Sequence, residues 1–330
     1  MIEKYNILKA DSVTALVDMQ KAYLSGFPGY KVVFKRYFLS DSSQVASLPV
    51  ELGAISYIVQ PPLGGDTCGV LIHIASDANV EYYNGTTVVT ADGVVQVWTA
   101  NMVSSLEGSQ AQTHEILSEY ESLLDRYGMT VADNCVRTWF FVHDIDNNYS
   151  GMVRARREDF MRIGLTPQTH YIASTGICGS PCEEGSVVQL DACAMKGPFT
   201  QRYLYAPTHL NPTYEYGVTF ERGVKLNFSS HSQVLISGTA SINNKGEVVH
   251  VGDVSAQTER MLDNVKALTD EAEVGWEKIS YILVYLRNPE DYDLVEPVFR
   301  KNFPKVPYII CQAPVCRPDW LIEMECVLVD

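Results

Sequence analysis

Ala111-Gln112-Thr113 opens one helical run, and the same three residues, Ala256-Gln257-Thr258, open a second. Each run is followed by an apolar, strand-like stretch, Val136–Val142 (VRTWFFV) in the first case and Ser280–Leu286 (SYILVYL) in the second. Repeated segments at a nearly constant spacing indicate two copies of one structural unit. This internal repeat decides how the rest of the chain is interpreted.

The repeat continues on both sides of these segments. A second helix follows each apolar stretch and ends at Phe160 in one copy and at Phe303 in the other. Alternating apolar residues, which are typical of strands, precede the first helix and close each copy. We expect hairpins of Thr86–Thr90 with Val94–Trp98 and of Gln233–Ser237 with Val248–Val251, and last strands at Val187–Met195 and Leu321–Val329. The order β-β-α-β-α-β predicts an α+β fold of tandem modules, each a mixed β-sheet with two helices on one face.

Three regions follow from the repeat. Residues 1–50 lie outside it and are interpreted as a strand-containing N-terminal extension, residues 51–198 as a degenerate module, and residues 199–330 as a complete module. The segment Phe199–Val224, between the copies, is rich in tyrosine, proline, threonine and asparagine. Long loops in compact proteins are usually functional, so we expect an ordered, functional loop here.

The composition is that of a globular protein and excludes several classes. Hydrophobic residues make up 46% of the 330 residues, which is enough for a sizeable core. The chain has 40 acidic residues against 25 lysines and arginines, a net charge of −15, so we expect no nucleic-acid partner. The apolar runs have only the length of strands, and the start lacks a secretory pattern; we therefore expect no membrane contact.

The eight cysteines are scattered and lie mostly within apolar stretches. This pattern favours reduced, buried thiols, and it predicts a cytoplasmic protein. Cys178 and Cys182 form a C-x3-C pair without a second pair, which argues against a zinc site. We predict no metal.

The second copy resembles the RidA/YjgF/UK114 family over nearly all of residues 234–329. The resemblance rests on Ile236-Ser237-Gly238, Gln257-Thr258, Asn264, Val284-Tyr285-Leu286, Phe303 and Leu321-Ile322-Glu323-Met324-Glu325. It implies a chorismate-mutase-like fold and a homotrimer with sites at the subunit junctions. Imine hydrolysis in that family depends on an arginine in a Pro-x-Arg motif. This chain has Pro307-Tyr308-Ile309 there and His170-Tyr171-Ile172 in the first copy, and isoleucine cannot hold a carboxylate.

Residues 50–330 also resemble the chorismatases, which are chorismate-cleaving relatives built from tandem copies of this fold. The matching segments are Val136-Arg137-Thr138-Trp139, Asp144-Ile145-Asp146 with Tyr149, Arg154–Arg157, Ala173–Ile177, Phe220-Glu221-Arg222, Ser237–Ser241, and Cys316-Arg317 running into Glu323. The resemblance implies cleavage of chorismate to pyruvate and a hydroxybenzoate, without a cofactor. It places the active site in residues 199–330.

Chorismate has two carboxylates and an enol-ether-linked pyruvyl arm, so its cleavage needs cationic clamps and a proton donor. A carboxylic acid in a poorly solvated pocket is a suitable donor. Glu323 is the candidate, because alternation along Leu321–Val329 places Glu323 and Glu325 on one face of a strand. Aligning the last strands of the two copies places Leu190 at the position of Glu323, which predicts one active site per chain.

Arginines are the candidates for binding the carboxylates, because guanidinium groups pair with them in a bidentate way. Arg222 and Arg317 are the first choice, and Arg156 is a further candidate. Cys316 matches the cysteine of the chorismatase branch that makes 3-hydroxybenzoate, so the resemblance implies a catalytic thiol and that product. The other predicted substrate contacts are Tyr214, Tyr216, Thr175, Gly176, Gly238 and Thr239.

Two other functions stay open from the sequence. One is a RidA-like deaminase of enamines or imines, or a hydrolase of another small molecule, which the missing arginines oppose. The other is a non-catalytic protein that binds a small metabolite. The residues alone do not separate this last function from an enzyme.

Overall fold

The computed structural model describes all 330 residues, which form three modules, each with one sheet. The first module consists of β1 (Ile2–Ala10), α1 (Val13–Ser25), β2 (Lys31–Leu39), β3 (Ala54–Val59) and β4 (Cys68–Ser76). The second consists of β5 (Asn79–Tyr83), β6 (Thr86–Ala91), β7 (Val94–Val103), α2 (Ser109–Asp125), α3 (Val131–Asn134), β8 (Cys135–Val142), α4 (Ile145–Arg162), β9 (Ala173–Cys178), β10 (Ser180–Pro181) and β11 (Val188–Lys196). The third consists of β12 (Thr200–Leu204), β13 (Gly223–Asn227), β14 (Ser232–Ala240), α5 (Val254–Glu271), β15 (Ile279–Leu286), α6 (Tyr292–Asn302), β16 (Tyr308–Gln312) and β17 (Ile322–Val329).

The first module is a third copy of the repeated unit. Its strand order, β1-β4-β2-β3, matches β7-β11-β8-β9 in the second module and β14-β17-β15-β16 in the third. In each copy the last pair of this order is parallel and the other pairs are antiparallel. The sequence repeat does not reveal this copy, because it lacks the Ala-Gln-Thr triplet and a 3₁₀ turn at Ser42–Ser47 replaces its second helix. Its sheet crosses residue 50, and the domain boundaries at residues 50 and 198 stay predictions.

The repeated triplet joins a helix to the start of the last strand. The Gln257 side chain is buried, accepts a hydrogen bond from the Leu321 amide at 2.9 Å and donates to the Asp319 carbonyl at 2.8 Å. Gln112 in the second module accepts in the same way from the Val187 amide at 2.8 Å. Because a buried amide must satisfy both its donor and its acceptor, these bonds hold α5 against the entry to β17.

The predicted fold class is confirmed, as are the first hairpin and both last strands, but the second hairpin is wrong. β14 pairs with β13, of which only Gly223 and Val224 lie within the predicted loop, and the start of that loop forms the strand β12. Of the predicted strand Val248–Val251, only Val248 forms an isolated bridge, to Ile242. His250 has a φ of 61°, a left-handed conformation that interrupts a strand.

The predicted equivalence of Leu190 with Glu323 is also wrong by one residue. On β17, Glu323 is paired with Tyr285 of β15. The equivalent of Tyr285 in the second module is Phe141 of β8, which is paired with Gln189. Gln189, and not Leu190, is therefore the equivalent of Glu323. A shift of one residue in a strand turns the side chain to the other face of the sheet. The corresponding position of the first module is Gly69, so only one of the three copies has a carboxylate there.

The three sheets turn their helix-free faces toward a common core. The largest cluster, of 55 buried apolar residues, draws on all three modules and continues beneath α5 and α6 of the third, while smaller clusters lie beneath the helices of the first and second modules. Two buried ion pairs cross this core. Arg36 of the first module pairs with Asp191 of the second at 2.8 Å, and Arg137 of the second pairs with Glu325 of the third. Buried charges need such partners, so these pairs also define how the sheets are placed against one another.

None of the helices combines the length and the apolar character needed to cross a membrane.

Candidate active site

A small cavity lies where the second module meets the third. Its walls come from β9, β14, β17 and α4, and from the segment that precedes β13. The free volume is about 30 Å³, which is close to the share of one water molecule in the liquid. The cavity is lined by Tyr149, Arg156, Ser174, Thr175, Gly176, Tyr216, Val218, Phe220, Arg222, Gly238, Ala240, Ile242, Cys316, Trp320 and Glu323.

Glu323 brings a carboxyl group into this cavity from β17. The side chain is only 5% exposed, and no hydrogen bond compensates its carboxyl group. Burial and the nearby charge of Glu325 raise its pKa to about 8, although Arg222 and Arg137 act in the opposite direction. A carboxyl group without bonded partners in a dry cavity favours its neutral form. Glu323 therefore holds a proton at neutral pH.

Gly238 brings the backbone of β14 against this carboxyl group. A methyl group at this position would collide with the Glu323 carboxyl oxygen. The Gly238 amide donates to Thr175 Oγ1 at 2.9 Å, which joins β14 to β9 across the junction of the two modules. The wall of the cavity is therefore backbone at this point, and a larger residue would have to displace the Glu323 carboxyl group.

Two buried guanidinium groups line the same cavity without a carboxylate partner. Arg222 is 4% exposed, and its donors reach only the carbonyl and side-chain oxygens of Asn211, at 3.0 and 3.2 Å. Arg156, on α4, is 1% exposed and donates to Thr219 Oγ1 at 3.2 Å, while its Nη2 has no partner. Burial lowers the pKa of Arg156. Unpaired buried cations are costly, so this pair marks a site for an anionic ligand.

Cys316 and Tyr149 lie together on the wall beside Glu323. Burial, with a smaller contribution from Glu323, raises the pKa of the Cys316 thiol to about 12. Burial also raises the pKa of Tyr149, and Cys316 adds to this effect. Both groups therefore stay neutral near pH 7, and Cys316 is a thiol rather than a thiolate nucleophile.

Three predicted contact residues do not line the cavity. Arg317 stacks on two aromatic wall residues instead, with its guanidinium carbon 4.7 Å from the ring centre of Tyr216 and 4.8 Å from that of Trp320. Tyr214 is 47% exposed and lines neighbouring cavities instead. Thr239 pairs with Met324, on the face of the sheet opposite to Glu323, and its hydroxyl donates to the Ser237 carbonyl. The predicted residues Glu323, Cys316, Arg222, Arg156, Tyr216, Thr175, Gly176 and Gly238 do line it.

Sequence reasoning missed Tyr149 and Trp320 as wall residues. Tyr149 lies seven residues before Arg156 on α4, so the two side chains lie on one face of the helix. That spacing is a signal in the sequence, but the exposed arginines of the same helix obscure its buried face. Trp320 is buried and donates to the Ser241 carbonyl at 3.2 Å, which no local pattern indicates.

Residues 213–222 separate this nearly closed cavity from two wider ones. One, of about 260 Å³, shares Arg222 with the closed cavity and is also lined by Tyr171, Tyr205 and Glu221. The other, of about 320 Å³, lies beside Tyr214 and Val218. The closed cavity has no room for a ligand much larger than water, so a larger ligand needs its walls, of which residues 213–222 form one, to move apart.

Comparison with known proteins agrees with this architecture. The family described as endoribonuclease L-PSP matches residues 220–329. The 3-aminoacrylate deaminase RutC of Acinetobacter baylyi is 32% identical over 96 residues, which are 28% of this chain and 76% of that protein. The chain belongs to this family, for which RidA/YjgF/UK114 is another name. A crystal structure of chorismatase has the same fold over 99% of this chain and 98% of its own, with a TM-score of 0.75 and 19% identity. The resemblance to the chorismatases is therefore confirmed for the fold of the whole chain.

We expect Glu323→Gln to change how stability depends on pH. The folded carboxyl group keeps its proton up to about pH 8, whereas the unfolded one titrates near 4.5. The folded state thus holds one more proton in this window, and the free energy of unfolding falls as the pH rises, by up to about 1.4 kcal/mol for each pH unit. Urea unfolding of both proteins should show the variant gaining stability relative to wild type from about pH 5 to pH 8, with no further gain above that range. Parallel pH curves would contradict the buried, protonated state.

Proposed function

We propose that this protein cleaves chorismate to pyruvate and a hydroxybenzoate. One observation carries the proposal: a buried, protonated carboxyl group, Glu323, shares a cavity with two buried guanidinium groups, Arg222 and Arg156, that have no carboxylate partner. Chorismate supplies two carboxylates for the two cations and an electron-rich methylene group for the proton. The full-length similarity to a chorismatase agrees with this choice.

The chemistry follows from the protonation state of the site. Glu323 transfers its proton to the methylene carbon of the pyruvyl arm, which becomes an oxocarbenium-like centre. The bond between the ring carbon and the ether oxygen then breaks, its electron pair stays on that oxygen, and pyruvate leaves. For the 3-hydroxy isomer, the neighbouring ring hydroxyl oxygen bonds to the carbon that pyruvate leaves, and its bond to its original carbon breaks as the ring becomes aromatic. The ring loses a proton as it becomes aromatic, which restores the acid. Pyruvate and hydroxybenzoate together contain the atoms of chorismate, so no cofactor or co-substrate is needed. Closure of residues 213–222 over the substrate keeps water away from the charged intermediate.

Deamination of an imine or enamine is the alternative that the similarity to RutC raises. The arginine position of that chemistry is Ile309 here, which is fully buried, and its side chain packs against Gly69 of the first module. The sequence comparison assigns Ile172 to this position in the second module, but the strand register corrects it: Ile309 is paired with Leu283, and the residue paired with the equivalent Trp139 is Thr175. Neither junction offers a guanidinium group at this place, and the cavity of Glu323 supports the chorismate reaction better.

Two further predictions belong to this proposal. The predicted homotrimer would place three sheets around a common core, and this chain already supplies three sheets by itself. We therefore propose that one chain is the functional counterpart of the family trimer. A cytoplasmic location stays a prediction that rests on the eight free cysteines.

Purified protein incubated with chorismate should release pyruvate, and Glu323→Gln should reduce turnover by about 10³-fold or more, because the amide cannot donate an acidic proton. The value of kcat/KM should fall above about pH 8, where Glu323 loses its proton. A coupled assay of released pyruvate measures the turnover and its pH dependence, and mass analysis identifies the aromatic product. Wild-type activity in the variant would remove the proposed donor, and binding without turnover in the wild type would favour a metabolite-binding protein. Turnover of an imine but not of chorismate would favour the deaminase.

Arg156→Met should weaken substrate binding and stabilise the free protein. The loss of a charge-assisted pair with a carboxylate predicts an increase in KM of about 10- to 100-fold. Removing an unpaired buried charge should raise the free energy of unfolding, since methionine fills similar space without a desolvation cost. Arg154→Met is the matched control, because Arg154 is exposed on the same helix. An unchanged KM in Arg156→Met would exclude Arg156 from the site.

Cys316→Ala should change the product ratio rather than stop cleavage. The neutral thiol occupies space beside Glu323, and its removal leaves room for a water molecule that can attack the activated substrate. We propose 3-hydroxybenzoate as the wild-type product and expect the variant to form more of the dihydroxy-cyclohexadiene carboxylate. Chromatography of the products against standards tests this. An unchanged yield of 3-hydroxybenzoate would dismiss the role of the thiol.

A further inference from the structure

Glu325 is a second carboxylate next to the site, and its surroundings differ from those of Glu323. It is 2% exposed and accepts hydrogen bonds from four donors. Trp139 Nε1 lies at 2.8 Å and the Tyr285 hydroxyl at 3.2 Å, while Arg137 and the Thr175 hydroxyl complete the set. A second cation, Arg36 of the first module, has its Nη1 at 4.0 Å from Glu325 Oε1. Every contact of the two oxygens is thus a donor or a cation, and this is the environment of an ionised carboxylate.

The backbone holds this charge close to Glu323. The two residues are separated by one position on β17, and their partners on β15 are Leu283 and Tyr285. Side chains two apart on a strand share a face at a separation of about 7 Å. At that distance, with an effective dielectric constant of about 20, two like charges change a titration by one to two pH units.

Other titratable and charged groups also face Glu323. They are Arg137 on β8, Tyr149 and Arg156 on α4, Tyr216 and Arg222 in the segment before β13, Tyr285 on β15, and Cys316 in the loop before β17. The arginines favour an ionised Glu323, so without an opposing negative charge they would lower its affinity for a proton. Glu325 is the carboxylate that supplies this charge.

We propose that Glu325 is a positioning residue that keeps Glu323 protonated at neutral pH and thereby sets the alkaline limit of the reaction. It does not touch the cavity and acts only through its fixed charge, which Arg137, Trp139 and Tyr285 hold in place. The inference rests on the proposed function, in which Glu323 donates the proton.

The test compares the pH dependence of kcat/KM for chorismate in the wild type and in Glu325→Gln. The glutamine removes the charge and keeps the shape of the side chain, with one oxygen that accepts from two of the four donors. We expect the alkaline limb to move down by at least one pH unit, so that kcat/KM near pH 8 falls about tenfold for each unit, while the value near pH 6 stays within a few-fold. A uniform loss at every pH, with the limb in place, would show a merely structural role and overturn the proposal.

Glu325→Asp is the conservative control, since it retains the charge and should keep the limb close to that of the wild type. If Glu325→Gln fails to fold because Arg137 is left unpaired, the double variant Arg137→Met/Glu325→Gln removes both charges. Glu325 raises the pKa of Glu323 by more than Arg137 lowers it. The alkaline limb of the pH profile should therefore still move to lower pH, by a smaller amount. An unmoved limb in this variant would also overturn the proposal.

A measurement without substrate separates this inference from the proposed function. The change in stability that Glu323→Gln causes, followed against pH by urea unfolding, reports the proton on Glu323. When the same substitution is made in the Glu325→Gln background, the alkaline loss of stability due to Glu323 should begin at a lower pH. If chorismate is not cleaved but this shift is seen, the proposed function fails and the electrostatic coupling stands. If chorismate is cleaved and no shift is seen, the coupling fails alone.

Discussion

The buried pairing of arginines with carboxylates between modules is the constraint on which the rest of the structure depends. Arg36 reaches from the first sheet to Asp191 of the second, and Arg137 reaches from the second to Glu325 of the third. Apolar packing is non-directional and would allow the three sheets to shift against one another. A charge in a dry core cannot shift without losing its partner, so the ion pairs restrict the sheets to one arrangement. The cavity at the junction of the second and third modules has its shape because of that restriction.

The same junction contains two kinds of buried charge: charges that are paired within the protein, and charges that have no partner and line the cavity. Glu325 and Arg137 satisfy each other, whereas the cations Arg222 and Arg156 have no carboxylate partner and the neighbouring Glu323 is protonated. Buried charges without partners are concentrated at this cavity, while Arg137 and Glu325 beside it are paired. Such a concentration is typical of functional sites. The pseudo-equivalent positions of Glu323, Gln189 and Gly69, carry no charge, which limits this chemistry to one of the three junctions.

Much of the fold and part of the site could be predicted from particular residues. The Ala-Gln-Thr triplet predicts the helices because its glutamine and threonine have the same local tasks in both copies, as their hydrogen bonds show. Alternation along β17 predicts the shared face of Glu323 and Glu325. The first module could not be predicted, since its strands keep the topology but not the residues that mark the repeat. The equivalence of Leu190 failed because a one-residue change in register leaves the apolar pattern nearly intact while it exchanges the two faces.

By itself, the sequence determined the helices and most strands of the second and third modules, and it placed an acidic residue and a cysteine near the end of the chain, because these depend on local periodicity and spacing. Only the tertiary structure decided which charges lack partners. Arg156 and Arg154 are two residues apart on one helix, yet one is buried in the cavity and the other is exposed. The protonation of Glu323 is likewise a property of its surroundings, because it depends on the exclusion of water and on a fixed carboxylate that a strand from another module holds in place. Desolvation and Coulomb interactions act through space, and the order of residues along the chain does not contain those distances.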